Sequence, residues 1–185
     1  MNTPTHIACA ACLAHVVAYA TAGRRDTSAR VATITAAVLL LGALSHLLLD
    51  LLPHYAWIVY LDWFKPIPYH WLIREAVFGL AVAVPALLMA GKAWPFVVLG
   101  MIGGMYPDVE KVLSVDFHVP DQFILFGWHS NFLSNRTLGL PIPVLIGLEL
   151  VLITGFLYAM WKMKKIASNN RLQAIGAKTR LQPEP

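Results

Sequence analysis

The feature that most constrains this chain is a series of apolar stretches, each near the length of a membrane span. A helix needs about 20 apolar residues to cross the hydrocarbon core of a bilayer. Five stretches in the sequence fit or approach that length: Thr5–Ala22, Val31–Leu52, Leu72–Ala90, the shorter Ala93–Tyr106, and Leu140–Trp161. In hydrocarbon each segment has to satisfy its own backbone hydrogen bonds, which favours helices. The sequence therefore predicts an all-α, polytopic membrane helical bundle with about five transmembrane helices.

Composition supports this class and excludes soluble ones. The chain is 58% hydrophobic and only 13% charged, whereas soluble domains are about one quarter charged. Its net charge of +4 would suggest nucleic acid in a soluble protein. The basic residues lie in short loops and the tail, however, without interleaved aromatics or a Gly-rich phosphate loop, so we predict no nucleic-acid partner. We expect one transmembrane domain, residues 1–165, and a polar, basic, loosely ordered cytoplasmic tail, residues 166–185.

The distribution of basic residues predicts the orientation. With five spans, ten of the 14 Lys and Arg residues fall on one side of the membrane: Arg24, Arg25, Arg30, Lys92, Lys162, Lys164, Lys165, Arg171, Lys178 and Arg180. Short loops rich in Lys and Arg stay in the cytoplasm. We therefore predict that the N-terminus is outside and the C-terminus is cytoplasmic. The predicted side of the tail depends on counting the short stretch Ala93–Tyr106 as a span, because omitting it would place the tail on the other side.

One motif stands out within the second span. His46 and Asp50 are four residues apart, so on a helix they lie on the same face. Pro53 ends or kinks that helix, and His54 follows. Ionisable residues in hydrocarbon are costly and indicate function by default. The pair could supply two ligands to a divalent metal, or a base and its orienting group. The alternative is a histidine hydrogen-bonded to its own helix neighbour.

Other ionisable residues gather on the same predicted side. Six of the seven histidines and seven of the ten acidic residues fall at the outer ends of spans or in outer loops. Histidine combined with Asp or Glu is the composition of a Zn or Mn site, whereas carboxylates alone favour Mg or Ca. The sequence therefore predicts a divalent metal cofactor, most simply Zn or Mn, in a slightly recessed site that a lipid headgroup could reach.

Two patterns in the spans leave alternatives open. His6, Cys9, Cys12 and His15 follow one another at three-residue steps, which allows a Cys/His metal cluster or, alternatively, small apolar cysteines at a helix interface. His15 and Glu149 are at similar predicted depths. They could pair as a relay inside the bundle or form a structural hydrogen bond.

Three pieces of the sequence together resemble a bacterial family of inner-membrane, membrane-bound metal-dependent hydrolase-like proteins. They are Ser45-His46-Leu47-Leu48-Leu49-Asp50, the run from Gly103-Gly104 through Pro107-Asp108-Val109-Glu110, and Trp128-His129-Ser130. His6 matches a further histidine near the start of a span. Glu110 stands where the family pattern has a second Asp, and the Ser-His piece precedes the Pro-Asp piece.

The resemblance implies a site in which metal-activated water attacks a phosphoester. The implied metal ligands are His46, Asp50, Asp108 and His129, with His6 as a fifth. Glu110 would be the general base or a second ligand, and His54 would protonate the leaving oxygen. Arg136 would hold a phosphate oxygen, unless it is a lipid-headgroup anchor. A bacterial inner-membrane location is implied as well.

Three functions remain open at this point. The first is an integral membrane metal-dependent hydrolase acting on a lipid or lipid-linked phosphoester at the outer membrane face. The second is a non-enzymatic scaffold, assembly factor or complex subunit, in which the outer His and Asp residues hold loops together. The third is a small transporter that uses His15 and Glu149. Membrane lipid is the expected partner in the first case, and a homo-oligomer or a membrane-complex partner is compatible with all three.

Overall fold

The computed structural model describes residues 2–22, 27–54, 70–115, 117–126 and 138–180. In these ranges the chain forms five α-helices: α1 (Thr3–Thr21), α2 (Ser28–Asp50), α3 (His70–Ala90), α4 (Trp94–Val115) and α5 (Ile142–Arg180). Short 3₁₀ turns cover Gly91–Ala93 and Asp121–Phe123. The described ranges contain no strand. The predicted all-α class is confirmed.

By length and composition, four helical stretches are able to cross a membrane: Thr3–Thr21, Ser28–Asp50, Ile73–Ser114 and Ile142–Asn170. The third joins α3, the 3₁₀ turn and α4, which the sequence predicts as two spans. Large apolar side chains on the outer surface are widely exposed, including Leu48 at 64% and Leu88 at 71%. A bundle in water would bury such residues, whereas lipid solvates them. The chain is therefore an integral membrane protein.

Helix α1 lies at the centre of the bundle and contacts each of the other four helices. Its neighbours alternate in direction along it. Gly79 of α3 lies near Ile7, whereas Gly104 and Gly100 of α4 lie near Ala10 and Ala14 respectively. Helix α4 therefore runs antiparallel to α1. The end of α3, at Ala90, lines the same cavity as His15, so α3 runs parallel to α1, and the chain reverses at Gly91, whose φ is +56°.

The helix boundaries follow local chemistry. The Thr27 side chain caps α2 by accepting a hydrogen bond from the backbone N–H of Arg30 at 3.3 Å. Helix α2 ends at Asp50, three residues before Pro53, which disfavours helical backbone in the residue that precedes it. The predicted end of this helix near Pro53 is confirmed. As a result, Asp50 lies in the last turn of α2.

Glycines bring α2 and α4 into backbone contact. A Cβ atom at Gly42 would collide with the carbonyl oxygen of Gly100 and lie 2.8 Å from the Gly104 nitrogen. A Cβ atom at Gly103 would collide with the Leu39 carbonyl oxygen. Small residues at helix interfaces in membranes allow this close approach, which maximises van der Waals contact. The approach also places the carbonyl of Gly104 within reach of α2.

Helix α4 is continuous through Pro107. Pro107 removes one hydrogen bond, to the carbonyl of Gly103, and tight packing on α1 and α2 supports the helix across this point. The sequence predicts a loosely ordered tail after Lys165, whereas α5 continues as a helix to Arg180. This segment has ordinary helix-forming residues that extend a helix already nucleated in the bundle.

The glycine contacts lead to a first prediction. Replacing Gly42 by Ala should lower the thermal unfolding midpoint in detergent, because the added methyl forces α2 away from α4 at a cost of about 1–3 kcal/mol. Gly155→Ala is the matched control, since nothing lies within 4 Å of a Cβ atom there. A Gly42 variant as stable as the Gly155 variant would contradict the close α2–α4 approach.

Candidate metal centre

Side chains from two helices meet at the carboxylate of Asp50. The Nε2 atom of His6 on α1 lies 3.2 Å from Asp50 Oδ1, and the Nε2 atom of His46 on α2 lies 3.3 Å from Asp50 Oδ2. The second contact has the four-residue spacing from which the sequence predicts a shared face, so that part of the prediction is confirmed. Helix α1 supplies His6 because its first turns lie beside the last turns of α2.

A backbone carbonyl on α4 fixes the orientation of His46. The Nδ1 atom of His46 lies 2.7 Å from the carbonyl oxygen of Gly104. A carbonyl only accepts hydrogen bonds, so Nδ1 carries the proton and donates it. In the neutral ring Nε2 then has a lone pair available for a ligand. Metal-binding histidines in proteins are commonly held in this way by an outer carbonyl or carboxylate.

Helix α4 brings a second carboxylate to the same point. Asp108 Oδ1 lies 3.6 Å from His46 Nε2, and the donor atoms of His6, His46 and Asp108 all lie within 4.8 Å of one another. Two ligand atoms on one tetrahedral zinc ion are about 3.3 Å apart, close to the separations found here. Two imidazole nitrogens and one carboxylate, with Asp50 in contact with both histidines, also match the ligand set that zinc and manganese accept. The residues therefore fit a divalent ion.

Burial makes unbalanced charge on these side chains energetically costly. His6 and His46 are fully buried, the Asp50 side chain is 5% exposed, and the Asp108 side chain is 36% exposed. The His6 and His46 rings stack with centroids 3.7 Å apart, where two positive rings would repel each other. His46 Nε2 faces one carboxylate on each of two helices, and a single proton can bridge to only one of them. A divalent cation between these groups would satisfy all of them, with Asp108 on the accessible side.

His54 lies at the edge of this group. Its Nδ1 atom is 2.8 Å from the carbonyl oxygen of Leu52, so Nδ1 donates and Nε2 points elsewhere as an acceptor. That Nε2 atom lies 4.0 Å from Asp50 Oδ1. The side chain is buried, at 3% exposure. His54 is therefore beside Asp50 but is farther from it than His6 or His46.

Glu110, the residue suggested as general base, holds a loop. Its Oε1 accepts a hydrogen bond from the backbone N–H of Leu125 at 3.0 Å, and its Oε2 accepts one from that of Phe126 at 2.6 Å. The residue is 1% exposed. Both carboxylate oxygens therefore anchor the segment that follows α4, and the general-base role suggested for Glu110 stays a prediction.

Glu149 makes a different contact from the one suggested by depth. Its two oxygens accept hydrogen bonds from the backbone N–H and the side-chain amide of Asn2, at 3.1 and 2.6 Å. His15 is thirteen residues along α1 from Asn2, about 20 Å at 1.5 Å per residue. The pairing of His15 with Glu149 as a relay, one of two alternatives left open by the sequence, is therefore not formed, and Glu149 makes structural hydrogen bonds with Asn2 instead. Glu149 lies two turns into α5, at the level of the start of α1. His15 lies in the second half of α1 and is therefore at a different depth in the bundle.

Two further residues complete this end of the bundle. Arg74 on α3 is 1% exposed, and its Nε and Nη1 atoms have no hydrogen-bond partner among the described residues. Glu75, the next residue, interacts with Thr3 and electrostatically with Asp108, so this turn of α3 lies at the level of the His/Asp cluster. The sequence contains the signal for this residue, because Arg74 is a charged residue at the start of an apolar span, where such residues indicate function.

Several predicted participants are elsewhere or undescribed. His129 and Arg136 lie outside the described residues. Cys9 and Cys12 are buried free thiols among apolar side chains, which matches the interface alternative for these cysteines.

Comparison with known proteins finds no matching family model, no matching curated protein and no matching solved structure.

The geometry predicts that metal binding depends on His46. Protein purified in detergent should contain close to one equivalent of zinc or manganese by elemental analysis, and His46→Asn should lose it, because Asn has no donor at the position of Nε2. His118→Asn is the matched control, since His118 is exposed and its φ of 53° suits Asn. Metal retained equally in both variants would rule out His46 as a ligand.

The Glu110 contacts predict a separable effect. Glu110→Ala should speed hydrogen exchange at the Leu125 and Phe126 amides, because both lose a charged acceptor, while the metal content stays near that of the wild type. Hydrogen–deuterium exchange measured by mass spectrometry reports the first and elemental analysis the second. Loss of metal with unchanged exchange would make Glu110 a ligand instead of a loop anchor.

Proposed function

We propose that this protein is an integral membrane metal-dependent hydrolase that acts on a lipid or lipid-linked phosphoester. The observation that carries the proposal is the convergence of His6, His46, Asp50 and Asp108 from three helices on one buried point. Spanning helices bury ionisable groups at a cost, so such a cluster favours a functional explanation. Its donor set favours zinc or manganese, and we take the outer membrane face as its location from the loop charges.

The position of the cluster supports a lipid substrate. His6 lies in the first turns of α1, and Asp50 in the last turn of α2, so the cluster lies near the ends of the spans rather than at mid-depth. Asp108 is the most exposed of the four residues. A headgroup in the interface would approach from that side, while the buried histidines stay shielded from bulk water.

The roles of the side chains follow from their contacts. A divalent ion held here would supply an acidified water and polarise a phosphoryl oxygen. His46 is oriented by the Gly104 carbonyl, and Asp50 fixes the position of the His6 and His46 rings. Asp108 lies on the side of substrate entry. His54, with Nδ1 committed to the Leu52 carbonyl, offers Nε2 for proton exchange with a leaving oxygen.

Arg74 supports an anionic substrate. A buried guanidinium is strongly destabilised without a counter-charge, and arginine binds phosphate oxygens with paired N–H groups. We assign Arg74 to the substrate phosphate because the next residue on α3, Glu75, interacts electrostatically with Asp108. The family resemblance implies the same role for Arg136, which lies outside the described residues.

A non-enzymatic scaffold is the second candidate. Glu110 and Glu149 use both carboxylate oxygens to hold a loop and the start of α1. The His/Asp cluster could likewise serve only to join α1, α2 and α4. A transporter has less support, because the His15–Glu149 contact on which that hypothesis relied is not formed.

The hydrolase proposal predicts metal-dependent phosphate release from phosphoester lipids such as phosphatidic acid and polyprenyl phosphate. Asp108→Asn and His46→Asn should lower kcat/KM at least about 100-fold, the upper end of what losing an outer-shell partner of a metal costs. Arg74→Gln should act mainly by raising the KM. Phosphate release from lipid in mixed micelles measures all three.

His118→Asn is again the control, and each variant is compared at equal folded concentration by size-exclusion chromatography. Metal bound at the cluster without turnover of any phosphoester lipid would contradict the hydrolase proposal and favour a structural metal. A folded protein that takes up no metal would favour the scaffold.

A further inference from the structure

A second polar feature lies at the opposite end of the bundle, in a cavity of about 540 Å³. The end of α1, the α3–α4 turn and the middle of α5 form its walls. His15 is nine residues beyond His6 on α1, which separates the cavity from the metal centre by about 13 Å along the axis. Its lining residues include His15, Lys92, Phe96, Lys164 and Ser168.

The charge of this cavity is one-sided. Lys92 and Lys164 both line it, and none of its lining residues is acidic. The Lys164 ammonium donates a hydrogen bond to the carbonyl oxygen of Leu88 at 3.0 Å, which holds it near the α3–α4 turn. Among the described residues, the lining therefore has two positive charges and no carboxylate to balance them.

His15 adds a buried polar group. It is 6% exposed, and its Nδ1 atom has no hydrogen-bond partner within the described part of the chain. A buried polar nitrogen without a partner is uncommon and costs stability. Here it borders a space large enough for a ligand, so a hydrogen-bonding group in that space would satisfy it.

The remaining lining is apolar and comes from spanning helices. Ala18, Ile34, Met89 and Phe96 form much of the wall. An occupant therefore needs an anionic part for the lysines and an apolar part for the wall. Basic pockets between transmembrane helices, close to the membrane surface, bind the phosphate headgroups of anionic lipids.

We propose that this cavity binds the headgroup of an anionic phospholipid, with its phosphate between Lys92 and Lys164 and a hydrogen bond to His15. The site is independent of the metal centre, because it uses the other ends of the helices. Lipid bound there would bridge α1, the α3–α4 turn and α5, and so would stabilise the basic end of the bundle.

Native mass spectrometry of the detergent-purified protein tests this proposal with phosphatidylglycerol as the probe. The double variant Lys92→Gln/Lys164→Gln should bind it about thirtyfold more weakly, because each lysine near an anionic headgroup contributes a factor of about five. Lys162→Gln/Lys165→Gln is the matched control. It removes the same charge from residues that instead lie over the rings of Tyr158 and Trp161.

A second variant separates charge from shape. Ala167→Leu fills the cavity without changing its charge and should also weaken binding. Equal loss in the control pair would reduce the effect to general surface attraction and overturn the site. Equal binding of zwitterionic phosphatidylcholine, or full competition by soluble glycerol phosphate at the same concentration, would overturn an anionic lipid as the occupant.

Discussion

The hydrogen bond from His46 Nδ1 to the Gly104 carbonyl links the fold to the chemistry of this protein. It exists because α2 and α4 approach until their backbones touch at Gly42, Gly100 and Gly103. A larger side chain at Gly42 or Gly103 would separate these two helices and withdraw the carbonyl, whereas one at Gly100 would meet Ala10 and Ala14 of α1. The contact also sets the imidazole tautomer, so Nε2 faces Asp50 and Asp108 as a lone-pair donor.

The cost of charge in hydrocarbon explains why the cluster is compact. An isolated ionised group in an apolar interior is strongly unfavourable, whereas grouped donors that share a cation satisfy one another. His6 lies in the first turns of α1, and His46 and Asp50 lie in the last turns of α2. The interface is near at these helix ends, and Asp108 remains partly exposed. Glu110 and Glu149 solve the same problem differently, by accepting hydrogen bonds from backbone and amide N–H groups.

The two ends of the bundle therefore have different chemistry on a common frame. One end concentrates histidines and carboxylates, and the other concentrates lysines around an apolar cavity. Exposed leucines and valines between them face the lipid. Alternating helix directions produce this division, because each span starts at the end where the previous span stops. A charge in a loop is thereby assigned to one end or the other by its place in the chain.

Apolar length and composition by themselves determined the helical class, the membrane location and the approximate bounds of the helices, because hydrocarbon leaves the backbone few alternatives. The four-residue spacing also determined that His46 and Asp50 share a face. Only the tertiary structure decided which distant residues join them. His6 meets Asp50 through the crossing of α1 and α2, whereas Glu149 meets Asn2 instead of His15. Relative depth and rotation of helices depend on side-chain packing across interfaces, which local periodicity does not encode. The continuous helix through Pro107 was decided in the same way, since neighbouring helices support a backbone that the local sequence would weaken.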